Sequence, residues 1–302
     1  MYRLLFLGTS EFAIPSFKAL ASDPRFSIIG VVTQPDRPVG RHAVLTPPPI
    51  KTVAQELGLP IFQPETIKEL ETNSDFQSLI ANRPDVFVVV SYGKILPQRF
   101  LDLPTQGCVN VHGSLLPRWR GAAPIQAAIA SGDKKSGVTV MQLDADLDHG
   151  AILGAAEEPI TKDDTGATLH DRLAELGGEI LPDILAGYLN SSITPVEQDH
   201  SQATFCKTMS RDDGKIDWNK SAEEIERMVR GYTPWPGTWT EFEGKRLKIH
   251  SVRIGPATTE PAGTFFDANN NKCVASGNGT SIILERVQRE GGKPTVGSTL
   301  LR

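Results

Sequence analysis

The sequence predicts an α/β fold: a doubly wound, Rossmann-like parallel sheet with a smaller C-terminal β-barrel domain of OB-like type. Over residues 1–189, short apolar runs alternate with amphipathic helical segments, as they do in parallel sheets covered by helices. A polar segment containing Ser and Pro then interrupts the pattern. After it, five short β-prone runs are separated by Gly, Asn and Pro, which is typical of a small barrel.

The first domain is predicted to span 1–189. Its strands are predicted at Tyr2–Gly8, Phe26–Thr33, Ile61–Gln63, Val86–Val90, Cys108–His112, Gly137–Leu143 and Ala151–Ile160. Helices are predicted at Phe12–Ser22, Lys51–Leu59, Thr66–Asn82, Pro124–Ser131 and Thr165–Leu189, with another starting at Leu96-Pro97. In the last long helix, Gly177-Gly178 and Pro182 predict a kink or a split. The regular alternation of strand and helix implies right-handed crossovers.

The second domain is predicted to span 207–302, after a linker over 190–206. One helix is expected at Ser221–Gly231, because Ser221 is a good N-cap and three glutamates follow it near the positive end. The five strands of the barrel are predicted at Thr238–Phe242, Leu247–Val252, Gly263–Phe266, Cys273–Ala275 and Ser281–Glu285.

Composition indicates a cytoplasmic protein. No apolar run approaches the roughly 20 residues of a membrane span, and the apolar N-terminus is too short for a signal peptide. The cysteines, Cys108, Cys206 and Cys273, lie far apart without pairing or metal spacing, which suits a reducing compartment.

Charge is distributed unevenly along the chain. The net charge is −5, but residues 207–302 carry 15 Lys and Arg against 12 Asp and Glu. This asymmetry allows a nucleic-acid or phosphate partner for the second domain. Ordinary surface scatter explains the charge equally well.

The stretch from Gly107 to Ile125 is the strongest candidate for an active-site loop. At the strand period of two, Asn110 and His112 point to the same side, and Gly113 then ends the strand. The carboxyl end of a strand is where an open α/β sheet places its ligand. A lone His or Asn is more often structural, but burying both without partners would cost roughly 1–3 kcal/mol each.

An acidic turn follows the strand predicted at Gly137–Leu143. Asp144, Asp146 and Asp148 are either turn formers or ligands of a hard cation. No Glu stands where the twelfth position of a calcium loop requires one, so the metal interpretation is set aside.

Common catalytic motifs are missing from the sequence. There is no Gly-x-Gly-x-x-Gly, no P-loop and no Gly-x-Ser-x-Gly. An Asn, a His and a downstream Asp remain, without an obvious nucleophile. Such a set suits direct transfer of an acyl group to an incoming nucleophile, in which one group polarises the carbonyl and another moves a proton.

These residues resemble the formyltetrahydrofolate-dependent formyltransferases, and most closely the branch that acts on methionyl-initiator tRNA. The resemblance rests on Asn110-Val-His112-Gly-Ser114-Leu-Leu-Pro117-Arg-Trp-Arg-Gly-Ala-Ala-Pro-Ile125 and on Leu147-Asp148-His-Gly150. Further matches run along the whole chain: Leu7-Gly-Thr9, Gln34-Pro-Asp-Arg-Pro-Val-Gly-Arg41, Ser91-Tyr-Gly93, Ile216-Asp-Trp218 and Tyr232-Thr-Pro-Trp-Pro236.

The resemblance implies a reaction and a set of site residues. The α-amino group of the esterified methionine would attack the formyl carbon of 10-formyltetrahydrofolate, with no metal. Asn110 and His112 would stabilise the oxyanion, and Asp148 would position His112 and help to remove the amine proton. Ser114, Leu115, Leu116 and Pro117 would line the folate site with help from Tyr92.

The resemblance also implies how tRNA is held. The loop Gln34–Pro49 would contact the acceptor stem through Arg37 and Arg41, and the second domain would bind tRNA as well. After Arg41 the family often has further basic residues, whereas this chain has His42-Ala43-Val44, which implies fewer phosphate contacts. We expect a monomer.

Three alternatives stay open on sequence alone. A sugar-nucleotide N-formyltransferase would share the Asn, His and Asp, although the Pro-Asp-Arg-Pro loop favours tRNA. A formyltetrahydrofolate hydrolase would use water as the nucleophile. An inactive RNA-binding protein would not need the complete catalytic set.

Overall fold

The computed structural model describes residues 1–40 and 42–300, and the chain divides there into two units. The first contains Met1–Gly121, Ser136–Glu158 and His170–Phe205; the second contains Ala122–Lys135, Pro159–Leu169 and the chain from Cys206 onward. The predicted domains are contiguous in sequence, whereas these units are not. The predicted end of the first domain at 189 and the predicted start of the second at 207 therefore stay predictions.

The elements follow the predicted alternation. The strands are β1 (Tyr2–Gly8), β2 (Phe26–Val32), β3 (Arg37–Val39), β4 (Val44–Thr46), β5 (Ile61–Phe62), β6 (Val86–Val90), β7 (Cys108–His112), β8 (Arg120–Gly121), β9 (Lys135–Gln142), β10 (Ile152–Pro159), β11 (Phe205–Cys206), β12 (Thr238–Phe242), β13 (Lys245–Ile254), β14 (Phe265–Ala268), β15 (Asn271–Ser276), β16 (Thr280–Arg289) and β17 (Thr295–Val296). The helices are α1 (Ala13–Ser22), α2 (Pro49–Glu56), α3 (Ile67–Thr72), α4 (Ser74–Ile80), α5 (Gln98–Leu101), α6 (Pro124–Ser131), α7 (Gly166–Leu189) and α8 (Ala222–Gly231).

A seven-stranded sheet in the order β10-β9-β7-β6-β1-β2-β5 forms the centre of the first unit. The strands β7, β6, β1, β2 and β5 are mutually parallel, which confirms the Rossmann-like prediction. The sheet is mixed, because β9 runs antiparallel to β7. An apolar strand has the same sequence pattern in either direction, so the sequence could not reveal this reversal.

The carboxyl ends of the central strands meet at one edge of this sheet. The hydroxyl of Thr9, which follows β1, donates to the carbonyl of Tyr92, which follows β6, at 2.9 Å. The Gln34 amide, beyond the end of β2, donates to the same carbonyl at 3.0 Å. This is the edge at which an open α/β sheet binds its ligand.

Three predicted elements differ in detail. The loop Gln34–Pro49 contains the β3–β4 hairpin. The helix predicted at Thr66–Asn82 is divided at Asn73, whose backbone is extended and whose side chain caps α4 by accepting from the Phe76 amide. By contrast, α7 continues through Pro182 as a single helix.

Gly178 explains how α7 lies so close to α1. A Cβ atom added to Gly178 would come within 2.8 Å of the backbone of Pro15. Real Cβ atoms do not approach backbone so closely, so only glycine allows this contact. Gly178 thus serves the packing of α7 against α1, and α7 is not split at the Gly pair.

The second unit contains an antiparallel sheet in the order β12-β13-β16-β15-β14, with β17 on β16. This confirms an antiparallel second domain. Its helix α8 begins with a reciprocal capping box between Ser221 and Glu224. One face of α8 joins the core formed by Ile216, Ala222, Ile225, Val229, Leu247, Ile249, Val274, Ile282, Leu284, Val287 and Leu300.

Membrane-spanning helices are not found in the described part of the chain. None of its helices combines the length and the apolar character needed to cross a bilayer.

Candidate active site

The strand β7 carries two of the three predicted catalytic residues. All five of its residues are buried, with Asn110 9% and His112 6% exposed. Asn110 lies opposite Met141 and His112 opposite Thr139 on β9. Because side chains alternate along a strand, Asn110 and His112 project from the same face.

Asp148 lies beside His112. Its Oδ2 atom is 3.6 Å from His112 Nδ1, and both side chains are largely buried. This separation is an ion-pair distance, and it is too long for a direct hydrogen bond. The structure thus brings His112 together with the carboxylate that the sequence placed 36 residues downstream.

A carbonyl group defines the orientation of the His112 ring. His112 Nε2 lies 3.0 Å from the backbone oxygen of Trp119. A carbonyl oxygen only accepts hydrogen bonds, so Nε2 carries the hydrogen. In the neutral ring, the lone pair is therefore on Nδ1, the nitrogen that faces Asp148.

The backbone of Asp148 has an unusual conformation. Its φ is +47°, in the left-handed region that non-glycine residues seldom adopt and that Asp tolerates better than most. Its Oδ2 accepts a 2.7 Å hydrogen bond from the Gly121 amide. The carboxylate is thus held from one side by the backbone of the loop that follows β7.

Of the two other acidic residues in this turn, Asp144 has a structural role. Asp144 accepts hydrogen bonds from the Asp146 amide at 3.0 Å and from His149 Nδ1 at 2.7 Å. Over residues 1–40 and 42–300, no group of three or more His, Cys, Asp or Glu is arranged to hold a metal ion.

The predicted folate segment, Ser114 to Pro117, is fixed to β9 by Thr139. The Thr139 hydroxyl donates to the Ser114 carbonyl at 2.7 Å and accepts from the Leu116 amide at 3.1 Å. The Ser114 hydroxyl is buried and donates to the Arg118 carbonyl at 2.6 Å. Leu115 and Pro117 remain partly exposed, so these two offer the accessible surface of the segment.

Tyr92 is placed differently from the other predicted folate residues. Its ring packs in the hydrophobic core of the first unit and is 2% exposed. Among the described residues its hydroxyl finds no hydrogen-bond partner. Burial raises the pKa of this phenol to about 12. What Tyr92 presents at the strand edge is its backbone carbonyl.

The predicted tRNA loop is an exposed hairpin. Arg37 lies on β3 and makes an exposed ion pair with Glu65. Behind it, Asp36 accepts from Gln63 and Lys51, and these contacts lower the pKa of the Asp36 carboxyl. Arg41, the other predicted tRNA residue, lies outside the described residues.

Sequence reasoning missed several residues that hold the site. Gln198 and Thr204 lie in the predicted linker, yet Gln198 is buried and Thr204 is bonded to the active-site loop. The Thr204 hydroxyl accepts from the Trp119 amide at 2.9 Å, and its carbonyl accepts from the Arg120 amide at 2.8 Å. A single Gln or Thr in a polar segment carries no periodic signal, so only the structure reveals these roles.

Comparison with known families gives two matches. Residues 2–185 match the family described as "Formyl transferase", and residues 208–302 match "Formyl transferase, C-terminal domain". Together these matches define an enzyme of the formyl transferase class.

Curated relatives identify the branch of this class. Methionyl-tRNA formyltransferase of Stutzerimonas stutzeri is 45% identical over 293 residues, covering 97% of this chain and 91% of the relative. The enzyme of the same name from Marinobacter nauticus is 44% identical over 283 residues, covering 93% and 90%. The chain belongs to the methionyl-tRNA formyltransferase family.

Solved structures share the fold at much lower identity. An N-formyltransferase from Helicobacter canadensis, solved with folinic acid and dTDP-3-aminofucose, has a TM-score of 0.69 and 17% identity; the match covers 94% of this chain and 99% of that one. HypX from Aquifex aeolicus, solved with tetrahydrofolic acid, has a TM-score of 0.60 and 14% identity, covering 99% and 47%. At these identities the likeness concerns the fold.

Proposed function

We propose that this chain transfers the formyl group of 10-formyltetrahydrofolate to the α-amino group of methionyl-initiator tRNA. The observation that carries the proposal is the pairing of His112 Nδ1 with Asp148 Oδ2 at 3.6 Å, on the strand that also bears Asn110. Relatives named for this reaction match nearly the whole chain.

The arrangement around His112 supports a role in charge stabilisation. Nε2 is used by the Trp119 carbonyl, so Nδ1 is the nitrogen left to face the reacting atoms. When His112 is protonated, Nδ1 becomes a donor and the Asp148 carboxylate stabilises the positive charge. The Asn110 amide and this Nδ1–H then donate to the oxyanion that forms when the amine attacks the formyl carbon.

Asp148 also gives the amine proton a destination. As the carbon–nitrogen bond forms, the attacking nitrogen becomes positively charged and must lose a proton. The Asp148 carboxylate, held by the Gly121 amide, accepts that proton directly or through water. That proton then passes from Asp148 to N10 of the folate, directly or through water, and the bond between the formyl carbon and N10 breaks. The products are tetrahydrofolate and the formylated amine, and Asp148 is again a carboxylate.

We place the folate against the segment Ser114 to Pro117. Leu115 and Pro117 supply apolar contact, while Thr139 keeps the backbone in position. Tyr92 would contribute through its carbonyl end rather than through its buried ring. The proposal involves no metal, because the Asn110 N–H group and the protonated His112 ring would donate the hydrogen bonds that stabilise the oxyanion.

The second unit offers a surface suited to tRNA. The guanidinium carbon of Arg246 lies 3.8 Å from the centre of the Trp239 ring, and Lys215 Nζ lies 5.3 Å from it. Trp235, nearby in sequence, is 48% exposed. Trp239 itself is half-buried. Cations next to aromatic rings are typical of nucleic-acid surfaces. We propose that this surface and Arg37 and Arg41 of the hairpin contact the tRNA.

We also propose that the chain acts in the cytoplasm as a monomer. The thiols of Cys108 and Cys273 form no disulfide, as expected in a reducing compartment. Asn110, His112 and Asp148 all come from one chain, as a monomeric enzyme requires.

A panel of acceptors tests the proposed function. The chain is incubated with 10-formyltetrahydrofolate and either methionyl-initiator tRNA, a nucleotide-linked amino sugar or water alone. We expect formylated methionyl-tRNA and no turnover with the other two. Product only with the sugar, or formate release without an acceptor, would refute the proposed acceptor.

A further inference from the structure

Gln198 is buried between the two loops that form the active site. Its Nε2 donates to the carbonyls of Asp148 and Gly150, at 2.9 and 2.8 Å. Its Oε1 accepts from Arg120 Nη2 and Nε, at 2.7 and 3.2 Å. Only 5% of the residue is exposed, although it lies in a segment predicted to be a linker.

These partners fix the orientation of the Gln198 amide. The two carbonyls only accept hydrogen bonds and the guanidinium only donates them, so the amide nitrogen must face residues 148 and 150. A carboxylate at this position would keep the contact with Arg120. It would place oxygen against oxygen at the two carbonyls.

The hydrogen bonds of Gln198 support an unfavourable backbone. Asp148 has a φ of +47°, and such a conformation in a non-glycine residue persists only when its surroundings hold it. Gln198 holds the chain at Asp148 and again two residues later, at Gly150. Gln198 also accepts from Arg120, the residue before Gly121. The Gly121 amide in turn donates to the Asp148 carboxylate.

We propose that Gln198 is a positioning residue for Asp148, holding its carboxylate beside His112 Nδ1. The inference rests on the proposed function, because Asp148 acts there on the amine proton and on His112. Gln198 touches neither substrate in this account. It therefore affects the rate of the chemical step and leaves substrate binding unchanged.

The variant Gln198→Glu tests this role with a matched control. It keeps an acceptor for Arg120 and removes both donors to the turn. Gln202→Glu makes the same charge change at an exposed position of the same segment. We expect Gln198→Glu to lower kcat roughly 10- to 100-fold. Both KM values should stay within about twofold of the wild type, because the residue acts on the chemical step and not on substrate binding. Gln202→Glu should behave as wild type.

The segment has other anchors that should keep the variant folded. Val196 and Ile152 exchange backbone hydrogen bonds at 2.8 and 2.9 Å, and Thr204 binds the Arg120 amide. Matching thermal midpoints would confirm that folding is intact. Should Gln198→Glu fail to fold, Gln198→Met, which has similar length and no polar donor, serves as the second variant with the same expected loss.

A double-mutant cycle with Asp148→Asn separates positioning from other effects. If Gln198 acts through Asp148, adding Gln198→Glu to Asp148→Asn should change kcat less than about twofold, because coupled residues are not additive. A full multiplicative loss, a raised KM alone, or wild-type kcat in Gln198→Glu would overturn the inference. The wild-type rate on tRNA judges the proposed function separately, since these ratios can be measured on whichever amine the chain formylates.

Discussion

His112 lies between two oxygen acceptors, the Trp119 carbonyl and the Asp148 carboxylate. At the scale of single residues, the Trp119 carbonyl occupies Nε2, whereas the 3.6 Å distance to Asp148 is too long for a direct hydrogen bond and leaves Nδ1 for the reaction. The strand period predicted that Asn110 and His112 share a face, because alternation is a local property. Neither the Trp119 carbonyl nor the exact pose of Asp148 could be predicted, since both depend on how a distant loop folds.

Tyr92 provides a test at the same scale. Its buried hydroxyl is without a hydrogen-bond partner over the described ranges 1–40 and 42–300, and such a group costs about 1–3 kcal/mol. We expect Tyr92→Phe to raise the free energy of unfolding by about 1 kcal/mol and to leave KM for 10-formyltetrahydrofolate unchanged. Denaturant titration and initial rates measure the two quantities. A raised KM would show that the hydroxyl itself binds folate.

The loop between β7 and α6 is the element that turns a buried strand into a site. Thr139 on β9 anchors it at Ser114 and Leu116, and Thr204 anchors it at Trp119 and Arg120. In the sequence, Gly, Pro and other small residues predicted a loop here. Its anchors come from β9 and from the segment after α7, and no local pattern links those stretches.

Removing the Thr139 hydroxyl should loosen this loop. Thr139→Val keeps the shape but leaves the Ser114 carbonyl and the Leu116 amide without their partner. We expect stability to fall by about 1–3 kcal/mol and KM for the folate donor to rise several-fold. Ser136→Ala, which removes another buried hydroxyl from β9, is the control and should leave KM unchanged. Equal KM values in both variants would contradict the placement of folate on this loop.

Some ends of helices and strands could be predicted from nearby residues, whereas others depend on contacts that the local sequence does not show. The strand β12 and the helix α6 have the predicted bounds, because Pro, Gly and Ser mark their ends. The helix predicted at Thr66–Asn82 is divided because Asn73 caps a new helix. Pro182 does not interrupt α7. These outcomes depend on capping and packing that hydrophobic periodicity does not encode.

Charge is the property of the whole molecule that bears on its partner. The chain is acidic overall, with a net charge of −5, whereas residues 207–302 carry an excess of Lys and Arg. The structure adds what composition could not show, that Arg246 and Lys215 lie over the Trp239 ring. Both cations are also paired with carboxylates, Lys215 with Glu241 and Arg246 with Asp212, so a polyanion would have to compete with these two ion pairs.

Arg246→Ala tests this surface. We expect a several-fold higher KM for methionyl-tRNA, a salt dependence of tRNA binding reduced by about one unit of slope, and an unchanged KM for the folate donor. Lys293→Ala, an exposed cation of the same unit, is the control. Equal salt slopes for the two variants would place the tRNA elsewhere.

The most direct test of the account is the single-turnover rate of formyl transfer by wild type and His112→Ala, with both substrates saturating. The account predicts transfer to methionyl-initiator tRNA by the wild type and a rate roughly 10²–10³-fold lower in the variant, the usual cost of losing one oxyanion donor. Thermal midpoints confirm that both proteins are folded. An unchanged rate in a folded His112→Ala protein would contradict the proposed chemistry.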